Sequence, residues 1–257
     1  MNAFLILFFK SLFLGIFSML VLTIPGFAIG LLIKPLGVSV TGEPGEIIEG
    51  SIAVTNPNEA PLHINVQTTD ESPLREEFPD WLNLDKDNFH LEPNGTEHLN
   101  YTITIPEEAT GEFMMKISFG EERDPSQGMI QMVTRLAIYL VATVEGTEVY
   151  EGEVQEIKFD PENPKTLHVT VTNKGNVFVK PKGECRIINK NTGQTVVEFI
   201  VNEKRVAVLQ NSTEMLVGEM EEELSPGNYL VIVSLPFPNT LNEISKAMDY
   251  TVPASLD

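Results

Sequence analysis

The chain is expected to be all-β: two tandem β-sandwiches after an N-terminal hydrophobic export segment. Three observations carry that expectation. Short runs of alternating apolar and polar residues, rich in β-branched side chains, recur along the sequence, which is the pattern of half-buried strands. Asn, Pro and Gly clusters punctuate those runs as turns. The third observation is repetition. Ile52-Ala53-Val54-Thr55-Asn56 returns as Val169-Thr170-Val171-Thr172-Asn173, with the two asparagines 117 positions apart. Leu91-Glu92-Pro93-Asn94-Gly95-Thr96-Glu97 is echoed by Leu209-Gln210-Asn211-Ser212-Thr213-Glu214, again 117 positions from Thr96 to Thr213. Gly111-Glu112-Phe113 is echoed by Gly227-Asn228-Tyr229 at 116. Three echoes in one order at nearly one spacing imply a duplicated unit, and 257 residues accommodate two sandwiches of roughly 100 each.

Composition narrows the function classes. Lys and Arg number 17 against 37 Asp and Glu, a formal charge of −20. That balance opposes nucleic acid, where Lys and Arg neutralise phosphates, and opposes docking on anionic lipid. A single cysteine, Cys185, excludes an intrachain disulfide, so each unit must stand on its apolar core. Cys185 falls in a strand-like run and reads as a small buried hydrophobe.

Residues 1–33 differ in character. Lys10 is their only charge before Lys34, and Leu12 to Ile24 is nearly unbroken apolar sequence. Pro25-Gly26-Phe27-Ala28 follows, a breaker with small residues. The segment reads as a signal peptide over 1–28 cleaved after Ala28, or as an uncleaved anchor over Leu12–Ile33, which is long enough to span a bilayer. Either reading places the rest of the chain outside the cytoplasm, with membrane contact only through this segment if it is retained.

The first unit is expected over 29–146. Gly37 to Thr41 reads as its opening strand, and Ile47 to Val54 as the next, stopped at Asn56-Pro57-Asn58. Leu62, Ile64 and Val66 alternate with His63, Asn65 and Gln67, so His63 should face solvent rather than the core. Asp70 to Asp80 reads as an acidic loop. Trp81 begins a short strand as a core anchor. Asp85-Lys86-Asp87-Asn88 mimics the start of a calcium loop, but His90 and Thr96 occupy the positions where Gly and Glu are required, so it is a turn. Leu99 to Ile105 and Phe113 to Phe119 are further strands, and Gly120 to Gly128 is an acidic loop. Met129 to Val144 closes the unit as a long apolar strand, with Glu145-Gly146-Thr147 as the boundary.

The order strand, Val-Thr-Asn turn, strand, Trp, Leu-x-Pro-x-Gly turn, strand, Ile-Pro-x-x-Ala-x-Gly, strand resembles exported bacterial immunoglobulin-like domains over Ile33 to Val144. It is similar to the first domain of the PapD-like superfamily, which includes periplasmic pilus chaperones, and to the N-terminal domains of Gram-positive WxL-interacting surface proteins. Pilus chaperones hold a subunit's terminal carboxylate with a cleft Arg and a cleft Lys. The resemblance places Ala137 about where that Lys belongs, and Lys34 is the only cation near the opening strand. Ala cannot supply a charge-assisted anchor, so carboxylate capture is not expected.

The second unit is expected over 147–257, with strands at Val154 to Phe159, Thr166 to Thr172, Val177 to Gly183, Glu184 to Ile188, Val196 to Val201, Val206 to Leu209, Tyr229 to Leu235 and Ile244 to Val252. Asn189 to Gln194 reads as a hairpin loop and Glu219 to Glu223 as a solvated acidic run. Pro236 to Asn242 is a loop. The continuous apolar run Tyr229 to Leu235 suggests a strand covered on both faces.

No nucleophile elbow, phosphate loop or Cys-His zinc spacing occurs. His63, His90, His98 and His168 are scattered with no helical pairing, so no catalytic residue, cofactor or metal is expected. The expected function is non-enzymatic binding or scaffolding in the bacterial envelope or at the cell surface. Partners would be envelope or surface proteins, joined by β-strand addition to sandwich edges or end loops. The candidate edges are the opening strand, with Val38 and Val40, and the closing strand from Leu136 to Val141, with Leu136, Ile138 and Leu140. The other expectation is a pilus-type periplasmic chaperone capping exported subunits by strand donation.

Overall fold

A computed structural model describes residues 30–70, 81–122, 135–237 and 243–254. The expected export segment, the loop expected over Asp70 to Asp80 beyond Asp70, most of the loop expected over Gly120 to Gly128, the expected start of the closing strand at Met129 and most of the loop expected over Pro236 to Asn242 lie outside the described residues. All regular structure among the described residues is β.

Nine strands surround the first core: β1 (Leu32–Lys34), β2 (Val38–Gly42), β3 (Ile47–Thr55), β4 (Leu62–Asp70), β5 (Leu82–Leu84), β6 (Asn88–Leu91), β7 (Thr96–Thr104), β8 (Gly111–Glu121) and β9 (Arg135–Val144). They form a four-stranded sheet in the order β1-β3-β7-β5 and a five-stranded sheet in the order β2-β9-β8-β4-β6. Alternation dictates the packing between them. Along β8, Phe113, Met115, Ile117 and Phe119 are buried while the residues between them are half-covered, as the period of a strand requires. Trp81 stacks on Phe113 at 3.9 Å between ring centroids, the anchoring role expected of it.

The opening strand is split. β1 pairs antiparallel with β3, the chain crosses over at Pro35-Leu36-Gly37, and β2 pairs parallel with β9 in the other sheet. Leu31 and Ile33 are buried in the first core. An anchor over Leu12–Ile33 therefore cannot extend through Leu31 to Ile33.

The second core is wrapped by β10 (Gly152–Phe159), β11 (Thr166–Asn173), β12 (Gly183–Asn189), β13 (Thr195–Val201), β14 (Thr213–Glu219), β15 (Gly227–Leu235) and β16 (Ile244–Val252), in the order β10-β11-β14-β13-β12-β15-β16. β13 and β14 meet only at Val201 and Gly218. The sheet thus folds over that single junction, and its two ends come together where Phe159 packs on Tyr250 at 4.3 Å. Two expected strands are not strands. Val177 to Gly183 and Val206 to Leu209 touch through one bridge, Val179 to Val208. Asn202, at φ 62°, gathers the intervening backbone by donating to the carbonyls of Pro181 and Val206. β15 is fully buried on one face and half-buried on the other, so the double cover expected from its apolar run is partial. Cys185 is wholly buried, and burial pushes its thiol up to about 12.

The repeated turn does the same work in both units. Asn56 and Asn173 are fully buried. Asn56 Nδ2 donates to the carbonyls of Ala60, Leu91 and Glu92 at 2.8, 3.3 and 3.2 Å, and its Oδ1 accepts the N–H of Asn58. Asn173 Nδ2 donates to Val177 and Val208 at 2.8 and 3.1 Å, and its Oδ1 accepts the N–H of Gly175. Beside each, a threonine pair crosses to the neighbouring strand, Thr55 to Thr96 at 2.7 Å and Thr172 to Thr213 at 2.8 Å. A buried amide survives only when its donors and acceptor are used, and here each satisfies a turn that no strand can pair.

The two units meet at Glu112. Its Oε1 accepts the N–H of Phe178 at 3.1 Å and Gln210 Nε2 at 3.3 Å, and its Oε2 accepts the Thr143 hydroxyl. Its main-chain N–H donates to the carbonyl of Asn176. Gly111 beside it has φ +81°, and a Cβ there would stand 2.6 Å from the Asn176 side chain. Only glycine permits that approach. Burial pushes the Glu112 carboxyl up to about 7, against the opposing pull of the Phe178 and Thr143 hydrogen bonds and of Lys180.

Candidate partner-binding edge

β9 is a ten-residue strand with two different sides. Along β8 it is paired from Arg135 opposite Gly120 to Val144 opposite Gly111. On its other side β2 pairs only from Leu140, opposite Val38, to Val144, opposite Gly42. Arg135 to Tyr139 therefore have no strand partner on that side among the described residues. The cause is the crossover. Residues 35–37 pass from one sheet to the other, so β2 begins only at Val38.

The two candidate edges form one stepped edge, carried by β2 over Val38 to Gly42 and by β9 over Arg135 to Tyr139. Val38, Ile138 and Leu140 are buried in the first core, at 8%, 3% and 0% exposure, and Val40 is half-buried against it. Leu136 shares their inward phase but remains 36% exposed, although Phe119 directly opposite it on β8 is fully buried. Val141 is paired to Ser39, so the free stretch of the closing strand ends at Tyr139. Two further exposed apolar side chains flank the edge, Tyr139 on β9 and Leu36 in the crossover, at 49% and 86% exposure. Tyr139 lies within the closing-strand edge expected over Leu136 to Val141, whereas Leu36 was not expected from the sequence. The Ile33-Lys34-Pro35-Leu36 break, a proline inside an apolar run, was the signal that could have found the crossover. Ala137, opposite Ser118, lies toward the end of β9 remote from Glu112.

The histidines, scattered in sequence, acquire partners. His63 and His90 stand directly opposite each other on β4 and β6, with His90 Nδ1 3.3 Å from His63 Nε2. His90 Nε2 lies 3.3 Å from Glu92 Oε1. His168 approaches Asp160 at 3.6 Å, and His98 Nδ1 lies 3.3 Å from Ser51 Oγ. His63 faces solvent, as its alternation requires. Asp85 binds the main chain and side-chain amide of Asn100 at 2.9 and 2.8 Å, which makes the calcium-like run a pinned turn. No group of three or more His, Cys, Asp or Glu that could share one ion occurs among the described residues. No helix among them is long and apolar enough to cross a membrane.

No protein-family model and no curated protein matches the sequence. Among solved structures, the CupB2 chaperone of Pseudomonas aeruginosa is 14% identical, with 86% of this chain and 100% of that chain covered and a TM-score of 0.44. The YadV chaperone is 11% identical, covering 86% and 99%, at 0.47. The Salmonella enterica SafA pilin–SafB chaperone complex gives 12%, 87% and 97%, at 0.45. At these identities and scores the likeness carries no argument about partner or activity.

Proposed function

We propose that this protein is a non-enzymatic, exported binding protein that accepts an extended segment of an envelope or surface protein on the edge formed by β2 and the first half of β9. The observation that carries the reading is the side of Arg135 to Tyr139 away from β8, which has no strand partner among the described residues and is bordered by exposed Leu136, Tyr139 and Leu36. An added strand would satisfy the N–H and C=O groups on that side and help cover Leu136, the economy on which strand addition rests. The buried members, Val38, Ile138 and Leu140, would hold the edge in place rather than contact the partner.

The test is capture of exported proteins from an envelope extract by the wild-type chain and by Leu136→Asp/Tyr139→Lys. Wild-type capture that the variant loses while keeping its circular dichroism spectrum supports the edge. Equal capture by both overturns it, and hydrolysis of a glycan or peptide panel by the wild type overturns the non-enzymatic reading. The narrower reading, a pilus-type chaperone, predicts a soluble one-to-one complex with an exported subunit that lacks one strand of its own. For location, N-terminal sequencing of exported material should begin near Ile29, whereas intact Met1 in membranes would mean a retained anchor.

A further inference from the structure

We propose that His63 and His90 form a surface site for an imidazole-preferring divalent metal ion, with Glu92 as the group that orients His90. The register places both rings on the same face of the β4–β6 ladder as direct cross-strand neighbours, and both residues are exposed. His90 Nδ1 and His63 Nε2 face each other at 3.3 Å. Two imidazole nitrogens on one tetrahedral ion, each at a bond length near 2.0–2.1 Å, stand roughly 3.3–3.4 Å apart. The pair is therefore already at the spacing that a shared ion imposes, and the ion would replace the hydrogen bond between the rings.

Glu92 adds the second element of such sites. Its Oε1 lies 3.3 Å from His90 Nε2, the ring nitrogen remote from His63. A carboxylate on the far nitrogen fixes the ring orientation and raises the basicity of the ligating nitrogen. Two protein ligands leave the rest of the coordination sphere to water, and imidazole ligation suits Zn²⁺, Cu²⁺ and Ni²⁺ rather than Mg²⁺ or Ca²⁺. The net charge of −20 raises the local concentration of cations at the surface.

The experiment is calorimetric titration of the untagged full chain with Zn²⁺ and, separately, with Cu²⁺. The expected result is one ion per chain, with affinity reduced at least tenfold by His63→Asn or His90→Asn. Glu92→Gln should weaken binding by about tenfold, the usual effect of removing an orienting carboxylate. His98→Asn, which alters a histidine on another strand, should leave the titration unchanged. Both rings are exposed, so retained thermal unfolding midpoints will show that the variants fold. The proposal is overturned if the wild type takes up no stoichiometric ion, or if His63→Asn/His90→Asn binds as tightly as the wild type.

Discussion

At the scale of single residues, Asn56 and Asn173 carry the most structure per atom. Each uses a side-chain amide to close a turn whose carbonyls would otherwise be buried unpaired. Replacing either by Ala leaves several buried backbone groups without partners, at about 1–3 kcal/mol for each group fully denied water. We expect Asn56→Ala and Asn173→Ala each to lower stability by about 2–4 kcal/mol in urea unfolding, whereas Asn191→Ala, in the exposed Asn189–Gln194 hairpin, should change it by less than about 0.5 kcal/mol. Equal effects of all three would mean that the buried amides are not what closes these turns. The recurrence of Val-Thr-Asn was legible in the sequence, but its reason was not. The carbonyl acceptors Leu91 and Val208 are each 35 residues along from their asparagine, and no local pattern shows that they converge.

At the scale of the element, β9 shows how one strand can be core and edge together. Ile138 is buried at 3% exposure and Leu136, two residues earlier in the same phase, is 36% exposed. Ile138→Ala should therefore cost about 2–4 kcal/mol through lost burial and the cavity left behind, while Leu136→Ala should cost under about 1 kcal/mol. Denaturant unfolding of the two variants separates them, and a Leu136→Ala cost equal to that of Ile138→Ala would show that Leu136 is covered by the protein itself. The apolar alternation of this strand was readable from its residues. That β2 covers only Leu140 onward was not, because strand coverage depends on where the crossover at Pro35 releases the chain into the second sheet. The same limit explains Val177 to Gly183 and Val206 to Leu209. Their β-branched residues favour strands, but Asn202 and the prolines of that region bend the backbone away from a continuous ladder.

At the scale of the whole molecule, the joint between units is organised on a carboxyl group held near neutrality. Glu112 titrates at about 7 in the folded protein against an ordinary 4.5, with burial as the dominant cause. A folded-state value raised above the unfolded one means that the neutral form is the favoured one. Its stabilisation is fully present below about pH 4.5 and is lost as pH rises through about 7. Glu112 is only partly buried, so solvent screening reduces the full linkage, and the expected loss across that window is about 1–2 kcal/mol. Glu112→Gln keeps the acceptor for Phe178 and removes the titration. Urea unfolding of both proteins between pH 4.5 and 8 should show a falling difference profile, and parallel profiles would rule out this role. Gly111 and Asn176 press against each other at the same joint, so loosening there would be read as separation of the units.

The sequence by itself determined the fold class and the positions of nearly all strands, because period, turn residues and composition are local properties. Tertiary structure alone decided that β2 pairs β9 only from Leu140 onward, that His63 meets His90, that Glu112 is half-buried between units, and that Leu31 and Ile33 belong to a core. Each of those depends on distant backbone arriving at one place, through crossover, register or a contact between units. Spacing along the chain carries no record of that arrival.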